Sequence, residues 1–252
     1  MQLADLNWPA VHALSKDTPI VFPIAALEQH GPHLPVFTDS LLLGEITRRA
    51  AERTGARVLF APLFWLGNSE HHLDFPGTLS ASPRVYLDTL HDLAENFLHH
   101  GFRRIIFLNG HGGNDVPAKQ ATFELRQRHR DRNDLLLLVA TYWNLADAAR
   151  IAKLGTRQSQ MSHACEWETS MILRLAPQLV GNLASLEPVE PGNAFEPATR
   201  AWITKDRTAP GYIGHPRDAT ADKGEALFQI FADGVVALLE RAVAWDGKGW
   251  NG

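Results

Sequence analysis

Residues 19–39 read PIVFPIAALEQHGPHLPVFTD, an apolar run followed at once by residue types that bind metals. The apolar part, 19–27, predicts a buried strand. In extended backbone, side chains two positions apart project from the same face, so we expect Glu28 and His30 to point together into one site. The segment therefore predicts a strand that carries a functional site at its end.

A third potential metal ligand, Asp39, follows the turn after this strand. Gly31 and the prolines around it exclude a helix here and turn the chain. Asp39 is then expected at the N-cap of a helix over 40–53. Two carboxylates and an imidazole gathered where a strand meets a helix suit zinc, manganese or iron. The alternative is a capping aspartate and a hydrogen-bonded histidine at a strand end, because short patterns have accidental matches.

Composition limits the classes of protein to consider. The 252 residues suit one domain, expected over 1–252, with 45% hydrophobic and 21% charged residues as in ordinary globular proteins. The formal charge of −4 offers no basic surface for nucleic acid or an anionic membrane. We expect no signal peptide in residues 1–9 and no membrane span. Cys165 is alone in the chain, which excludes an internal disulfide and favours a cytoplasmic location.

Strand and helix patterns alternate along the rest of the chain. The expected strands are 57–61, 103–108 and 135–141, and the expected helices are 82–101, 117–130, 166–175 and 219–243. Segment 135–141 is almost wholly apolar, as expected for an interior parallel strand covered on both faces. The alternation predicts a single-domain α/β fold with a mostly parallel, doubly wound sheet flanked by helices.

The third expected strand ends in NGHGGN, residues 109–114. In an open parallel sheet, ligands bind beyond the carboxyl ends of the strands, which is where this loop lies. Glycines on both sides of His111 let the backbone approach a ligand closely. The alternative is a glycine turn with a bystander histidine. Because the strand before Glu28 also ends in acids and a histidine, the two strand ends together favour a metal site.

A third cluster, HACEWETS, spans residues 163–170 at a predicted helix start. Glu166 and Glu168 lie about 200° apart around a helix, so we expect only one of them, Glu168, to face the site. The alternative for either is an acid in the first turn that the helix dipole favours. His163 suits a helix cap or a proton shuttle, and Cys165 is expected to be a small packed residue.

Taken together, these segments resemble the creatininase (creatinine amidohydrolase) family. The matching segments are Glu28-Gln-His30-Gly-Pro-His-Leu-Pro with Thr38-Asp39, Asn109-Gly-His111-Gly-Gly-Asn114, His163-Ala with Glu168-Thr-Ser170, and Gly214 to Gly224. They follow one another in the family's order and span nearly the whole chain, which makes chance a poor explanation.

The resemblance implies a creatininase-like α/β fold with two divalent metal ions per chain. Zinc, manganese and iron all suit carboxylate and imidazole ligands. The ligands that the resemblance implies are Glu28, Asp39 and His111 for one ion, and His30, a bridging Asp39 and one further carboxylate for the other.

The glycine loop departs from the members that hydrolyse creatinine. Those members carry a tyrosine and then a glutamate that completes the second metal, where this chain has Gly112 and Gly113. Since glycine has no ligating side chain, Glu168 is the candidate for the missing carboxylate, as in members with the Gly-Gly version. The two glycines are also expected to leave more open space over the metals than a tyrosine and a glutamate would, and to offer no side-chain contacts to a small cyclic guanidine, which argues against creatinine as the substrate.

The reaction that the resemblance implies is hydrolysis of an amide-type C–N bond by a metal-bridging hydroxide. His163 is expected to pass a proton to the leaving nitrogen or to hydrogen-bond the substrate, and Glu168 has a catalytic or a metal-binding role. Ser69, His72 and Trp143 are candidates for binding a small amide substrate. The alternatives are turn capping for the first two and core packing for the tryptophan.

Substrate and assembly stay open at this point. Formamide hydrolases and biosynthetic peptidases of the family are alternatives to a cyclic-amide hydrolase. A different class, a non-catalytic metal-binding or assembly protein that keeps the fold, is disfavoured because every candidate ligand is retained. The resemblance also implies a homo-oligomer, commonly a hexamer.

Overall fold

Parallel strands form the centre of the molecule. A computed structural model describes residues 1–250, and within them the sheet has the strands β1 (Ile20–Ile24), β2 (Leu59–Phe60), β3 (Arg104–Asn109) and β4 (Leu136–Thr141). Their order is β2-β1-β3-β4, and every pairing is parallel. The predicted extent of the domain, 1–252, includes two residues outside the described range and stays a prediction.

Helices cover both faces of this sheet. The α-helices are α1 (Trp8–His12), α2 (Thr38–Thr54), α3 (Pro83–His99), α4 (Asp115–Arg128), α5 (Ala148–Ala152), α6 (Glu166–Leu175), α7 (Thr204–Arg207) and α8 (Ala221–Ala244). Short 3-10 helices lie at Leu3–Asp5, Gly55–Arg57, Glu70–His72, Gly112–Asn114, Tyr142–Leu145, Pro177–Leu179 and Pro216–Asp218. Helices α2, α6 and α8 pack on one face and α3 and α4 on the other, which confirms the predicted α/β fold. None of the helices in residues 1–250 combines the length and apolar character needed to cross a bilayer.

Strand β1 is buried throughout, because it lies between β2 and β3 and both of its faces are covered. Val21 packs in the core formed with α2, α6 and α8, whereas Ile20 and Phe22 pack in the core formed with α3 and α4. Side-chain alternation thus divides one apolar run between two cores.

The prediction that segment 135–141 forms an interior strand is wrong. Strand β4 pairs with β3 on one side, and no strand within residues 1–250 pairs with its other side. Its residues 136–140 are half-buried rather than buried. The apolar character is still explained, since alternate residues such as Leu136 and Leu137 pack against opposite cores. The run is apolar because both faces of β4 are covered, and not because β4 lies in the interior of the sheet.

Helix α2 begins two residues earlier than predicted, which changes the place of Asp39. Phe37 is the N-cap, and Thr38 and Asp39 are the first two residues of the helix, so the prediction of Asp39 as N-cap is wrong. The Ser40 hydroxyl donates a hydrogen bond to the Ala26 carbonyl (2.8 Å). This bond holds the helix start against the segment that follows β1, and it brings the Asp39 carboxylate to the same edge of the sheet.

Candidate metal centre

The candidate site lies beyond the carboxyl ends of β1 and β3. Ile24 and Asn109 pair in register, so the segments after the two strands leave the sheet side by side. Glu28 and His30 follow β1, and His111 follows β3. The Asn109 carboxamide donates to the His111 carbonyl (2.8 Å) and accepts from the His111 amide (3.0 Å). These two bonds close the turn that aims the imidazole into the site.

Asp39 lies at the centre of the cluster. Its Oδ1 is 3.1 Å from His30 Nε2, and its Oδ2 is 3.0 Å from His111 Nδ1. The two oxygens of one carboxylate therefore face two different imidazoles. This is the arrangement that a carboxylate needs to bridge two cations.

A glutamate lies on each side of this central group. Glu28 Oε2 is 3.3 Å from His111 Nε2, and Glu168 Oε1 is 3.7 Å from His30 Nε2. Helix α6 begins at residue 166 as predicted, and the Glu168 carboxylate also accepts a hydrogen bond from the Cys165 amide (3.4 Å). Glu168 is therefore both an acid in the first turn of α6, which was the alternative to a role in the site, and a carboxylate beside the cluster.

Glu166 faces away from the cluster, as helical spacing predicts. Its carboxylate pairs with Lys223 Nζ (2.5 Å) and accepts a hydrogen bond from the Arg157 amide (2.7 Å). The side chain is fully buried, and it joins the start of α6 to α8 and to the loop before His163. Glu166 therefore stabilises the fold, and Glu168 is the carboxylate that reaches the cluster.

The donor set fits divalent ions. The side chains concerned are all buried, and they are Glu28, His30, Asp39, His111 and Glu168. Glu28 Oε2, His30 Nε2 and Asp39 Oδ2 have no hydrogen-bonding partner within residues 1–250. One donor atom from each of these three residues lies within 4.8 Å of the others. Ligand atoms of one ion are expected roughly 3.0–3.5 Å apart when bond lengths are about 2.0–2.2 Å. The cluster is therefore capable of holding metal ions.

Burial and mutual charge shift the pKa values of these groups in the absence of a cation. Burial raises the pKa of Glu28 to about 7, even though His111 lowers it. Burial lowers the pKa of His111, but the Glu28 and Asp39 carboxylates outweigh it and raise that pKa to about 9. Burial also acts to raise the pKa of Asp39, yet the two imidazoles hold it well below its usual range. Without a bound cation, protons on the histidines thus balance the negative charge of the buried carboxylates.

Two further histidines contact the other oxygen of Glu28. His72 Nε2 is 3.3 Å and His163 Nδ1 is 3.6 Å from Glu28 Oε1. The two rings lie 4.3 Å apart, and the His163 ring lies 4.4 Å from that of His30. Burial lowers the pKa of both, that of His72 to about 2 and that of His163 well below its usual range. Both rings are therefore neutral at neutral pH.

The structure brings two of the predicted substrate-binding residues to this cluster. Ser69 is fully buried, with its Oγ 3.2 Å from His111 Nε2, and His72 lies as described above. Trp143 instead lines a cavity of about 490 Å³ together with Trp167. None of the residues lining this cavity, among those the structure describes, is a candidate metal ligand. A substrate-binding role for each of the three stays a prediction.

Three residues of the site were not predicted. His71 stacks on the His111 ring, with centroids 5.9 Å and planes 11° apart, and the adjacent pair His71-His72 was the available signal. Strand alternation places Gln29 on the face opposite its neighbours, yet its carboxamide contacts His72. The Thr204 hydroxyl lies 2.7 Å from His72 Nδ1, and the sequence around Thr204 has no motif that would have predicted this contact.

The space beside the two glycines differs, and the expectation that they leave more room over the metals than a tyrosine and a glutamate would stays a prediction. No atom of residues 1–250, apart from its chain neighbours, lies within 4 Å of the position that a β-carbon on Gly112 would take. A β-carbon on Gly113 would instead overlap the Asn68 carbonyl oxygen and lie 2.9 Å from His71 Cε1. The loop over 68–72 therefore fills the space beside Gly113.

Comparisons with known proteins agree with this geometry. The family model for creatininase, described as creatinine amidohydrolase, matches residues 4–239. Creatinine amidohydrolase from Pseudomonas putida is 30% identical over 250 residues, which cover 92% of this chain and 94% of that protein. A mycofactocin precursor peptide peptidase from Mycobacterium ulcerans (strain Agy99) is 28% identical over 236 residues, which cover 88% of this chain and 84% of that protein.

Solved structures of creatininase have the same fold. A mutant creatininase in a Zn–Zn form superposes with a TM-score of 0.81 at 28% identity, covering 95% of this chain and 97% of the other. A manganese form of creatininase superposes with a TM-score of 0.80 at 28% identity and the same coverage of 95% and 97%. Both metals are ones that carboxylate and imidazole donors accept.

Proposed function

The chain belongs to the creatininase family, and from this premise we propose that it is a hydrolase that cleaves an amide-type C–N bond at a dinuclear metal centre in the cluster beyond β1 and β3. The observation that carries the proposal is the Asp39 carboxylate, whose two oxygens face the imidazoles of His30 and His111. The proposed ligands are Glu28, Asp39 and His111 for one ion, and His30, Asp39 and Glu168 for the other.

Hydrogen bonds to the far sides of the two imidazoles support this assignment. His111 Nε2 lies 3.0 Å from the Asn68 carbonyl, and His30 Nδ1 lies 3.1 Å from the Glu28 carbonyl. Carbonyl oxygens only accept, so each of these nitrogens carries a proton, and the other ring nitrogen is the one that a cation would bind in place of a second proton. Metal-binding histidines commonly donate their second N–H in this way. On both rings this other nitrogen faces Asp39.

Divalent zinc, manganese or iron bound here would supply an activated water and a Lewis acid for the substrate carbonyl. The chain itself supplies the proton transfer. His163 Nδ1 lies 3.6 Å from Glu28 Oε1, beside the His30 ring, and 17% of the His163 side chain remains exposed. Its neutral imidazole takes up a proton and then gives it to the leaving nitrogen as a general acid.

We propose a substrate other than creatinine. Gly112 and Gly113 stand where members that hydrolyse creatinine carry a tyrosine and a glutamate, so the chain offers no side-chain contacts there to a small cyclic guanidine. Each lost polar contact typically costs about 1–3 kcal/mol. Formamides and short peptides are the alternative substrate classes, and the mycobacterial relative is named as a peptidase.

The proposal is tested by assaying the zinc- and manganese-loaded protein against creatinine, formamides and short peptides. The metal-free protein and the Asp39→Asn variant are the controls. We expect metal-dependent hydrolysis of a formamide or a peptide, and a kcat/KM for creatinine below about 10⁴ M⁻¹s⁻¹. Hydrolysis that survives metal removal would refute the metal-dependent reaction. A higher kcat/KM for creatinine would instead refute the choice of substrate.

We also propose a cytoplasmic location and a homo-oligomer, which is commonly a hexamer in this family. A reducing compartment is supported by Cys165, the single cysteine of the chain, which is a free thiol. Light scattering of the purified protein measures the assembly, and a monomer at all concentrations would refute the oligomer.

A further inference from the structure

His33 is a buried residue to which the proposed reaction gives no role. Its Nε2 lies 3.1 Å from the Ala164 carbonyl oxygen and 3.1 Å from Thr169 Oγ1. A carbonyl oxygen only accepts, so Nε2 carries a proton and donates it to Ala164. The ring packs edge-on against Tyr212, with centroids 5.5 Å apart, and the His33 carbonyl accepts from the Gly181 amide (2.8 Å). His33 is thus fixed on its own side and reaches across to the start of α6.

Ala164 has a backbone conformation that alanine disfavours. Its φ is 48°, and within residues 1–250 it is the only residue other than glycine with a positive φ. The left-handed region brings the β-carbon too close to a backbone carbonyl oxygen, so this conformation costs free energy and persists only where the surroundings fix it. The turn therefore needs partners that hold the peptide groups before and after Ala164.

Hydrogen bonds hold both of these peptide groups. In the group before Ala164, the His163 carbonyl accepts from a backbone amide (2.8 Å). In the group after it, the Ala164 carbonyl accepts from His33. The amide of this second group, that of Cys165, donates to Glu168 Oε2 (3.4 Å). Because peptide groups are planar, the orientation of two successive groups determines the φ and ψ angles between them.

The turn at Ala164 brings two residues of the site to one imidazole. His163 precedes the turn, and its ring lies 4.4 Å from that of His30. Glu168 follows the turn, with Oε1 3.7 Å from His30 Nε2 and Oε2 on the peptide group that His33 holds. A different conformation at Ala164 would rotate α6 relative to His163, and the two side chains would no longer both face His30.

We propose that His33 is a positioning residue that keeps Ala164 in the left-handed conformation and thereby directs Glu168 and His163 to the second of the two proposed metal ions. The His33 imidazole lies outside the proposed ligand set and acts through the peptide group after Ala164. Its effect on the second ion rests on the proposed function, whereas its effect on the backbone does not. Loss of the donor should weaken the second ion and leave the first nearly unchanged.

The test is calorimetric zinc titration of the metal-free protein with two substitutions at one position. His33→Met removes the donor at similar size, and we expect the affinity for the second ion to fall about 10- to 100-fold. His33→Gln keeps an N–H near the place of Nε2 and should bind both ions nearly as the wild type does. Second-ion affinity that is unchanged in His33→Met, or not recovered in His33→Gln, would overturn the proposal.

A substitution at the turn tests the backbone conformation directly. Glycine adopts a positive φ without steric cost, so Ala164→Gly in the His33→Met background should restore most of the lost second-ion affinity. It should also restore folding if His33→Met alone does not fold. A double variant that stays unfolded, or that still lacks the second ion, would contradict the role assigned to His33.

His91→Met is the matched control, because His91 is also buried and its Nε2 lies 3.0 Å from the Ala121 carbonyl oxygen, between α3 and α4. We expect a lower melting temperature and unchanged affinity for both zinc ions. If His33 served folding stability alone, His33→Met would behave in the same way as this control.

The backbone of Ala164 provides a measurement that needs neither metal nor substrate. Its ¹³C chemical shifts in alanine-labelled, metal-free protein should have left-handed values in the wild type and in His33→Gln, and should lose them in His33→Met. Shifts that stay the same in His33→Met would overturn the inference. The expected shifts together with fewer than two zinc ions in the wild type would support the backbone role of His33 and refute the proposed function.

Discussion

Asn68 and Gly113 pack so closely that a β-carbon on Gly113 would overlap the carbonyl oxygen of Asn68. The same carbonyl accepts a hydrogen bond from His111 Nε2 at 3.0 Å, so the contact also orients a proposed metal ligand. Glycine at this position is required for the approach of the 68–72 loop. A neighbouring loop, and not a side chain of the glycine segment, thus lies next to this imidazole.

Gly113→Ala is expected to displace the 68–72 loop from His111. Overpacking of this kind typically costs about 1–3 kcal/mol of folding free energy, and the misaligned imidazole should bind zinc more weakly. Gly112→Ala is the matched control, because the space around its β-carbon position is open. Thermal denaturation and zinc titration of both variants measure the effect. Equal behaviour of the two variants would contradict the packing argument.

Asp39→Asn is expected to weaken the binding of both metal ions. Each oxygen of the carboxylate faces a different imidazole, and a neutral carboxamide is a much poorer bridge. Elemental analysis after dialysis should find about two ions per chain in the wild type and well under one in the variant. Asp92→Asn, at an exposed position of α3, is the control. Retention of one full ion would show that Asp39 serves a single metal.

Glu168→Gln and Glu166→Gln are expected to have opposite effects. Loss of the Glu168 carboxylate beside His30 should remove about one ion per chain and nearly all activity. Glu166→Gln removes the carboxylate that pairs with Lys223, which keeps only its hydrogen bond to the Asp218 carbonyl, so folding free energy should fall by roughly 3 kcal/mol while both ions are retained. Metal analysis and thermal denaturation of both variants distinguish these outcomes. The reverse pattern would exchange the roles of the two glutamates.

Metal binding is expected to release protons and to strengthen as the pH rises. Although burial lowers it, the pKa of His111 is raised to about 9 by Glu28 and Asp39, and burial raises the pKa of Glu28 to about 7. At neutral pH the metal-free His111 therefore holds a proton that a metal must displace. Apparent zinc affinity should rise about tenfold per pH unit for each proton released, up to the higher pKa.

Calorimetry of zinc binding in buffers of different ionisation enthalpy counts these protons. Asp39→Asn removes one of the two carboxylates that raise the His111 pKa, so less proton uptake by the metal-free variant is expected. Zinc binding to the wild type without proton release at neutral pH would show that His111 is already neutral in the metal-free protein.

The order of elements could be predicted from the sequence because it depends on local patterns. An apolar run bounded by turn residues became β1, and helix α6 begins at residue 166 as its spacing indicates. Glu28, His30 and His111 could be assigned to one site because parallel strands bring their carboxyl ends to the same edge of a sheet. Chain order and strand direction are enough for that inference.

Only the folded chain decided which distant residues meet. Gln29 contacts His163 across 134 positions, and Asn68 fills the space beside Gly113, although neither segment carries a pattern that refers to the other. The edge position of β4 was equally hidden, because covered faces give the same apolar run at an edge as in the interior. Local patterns report periodicity and turn propensity. Strand order, loop packing and the partners of buried polar groups depend instead on how all segments share one interior, where each buried donor and acceptor must find its partner.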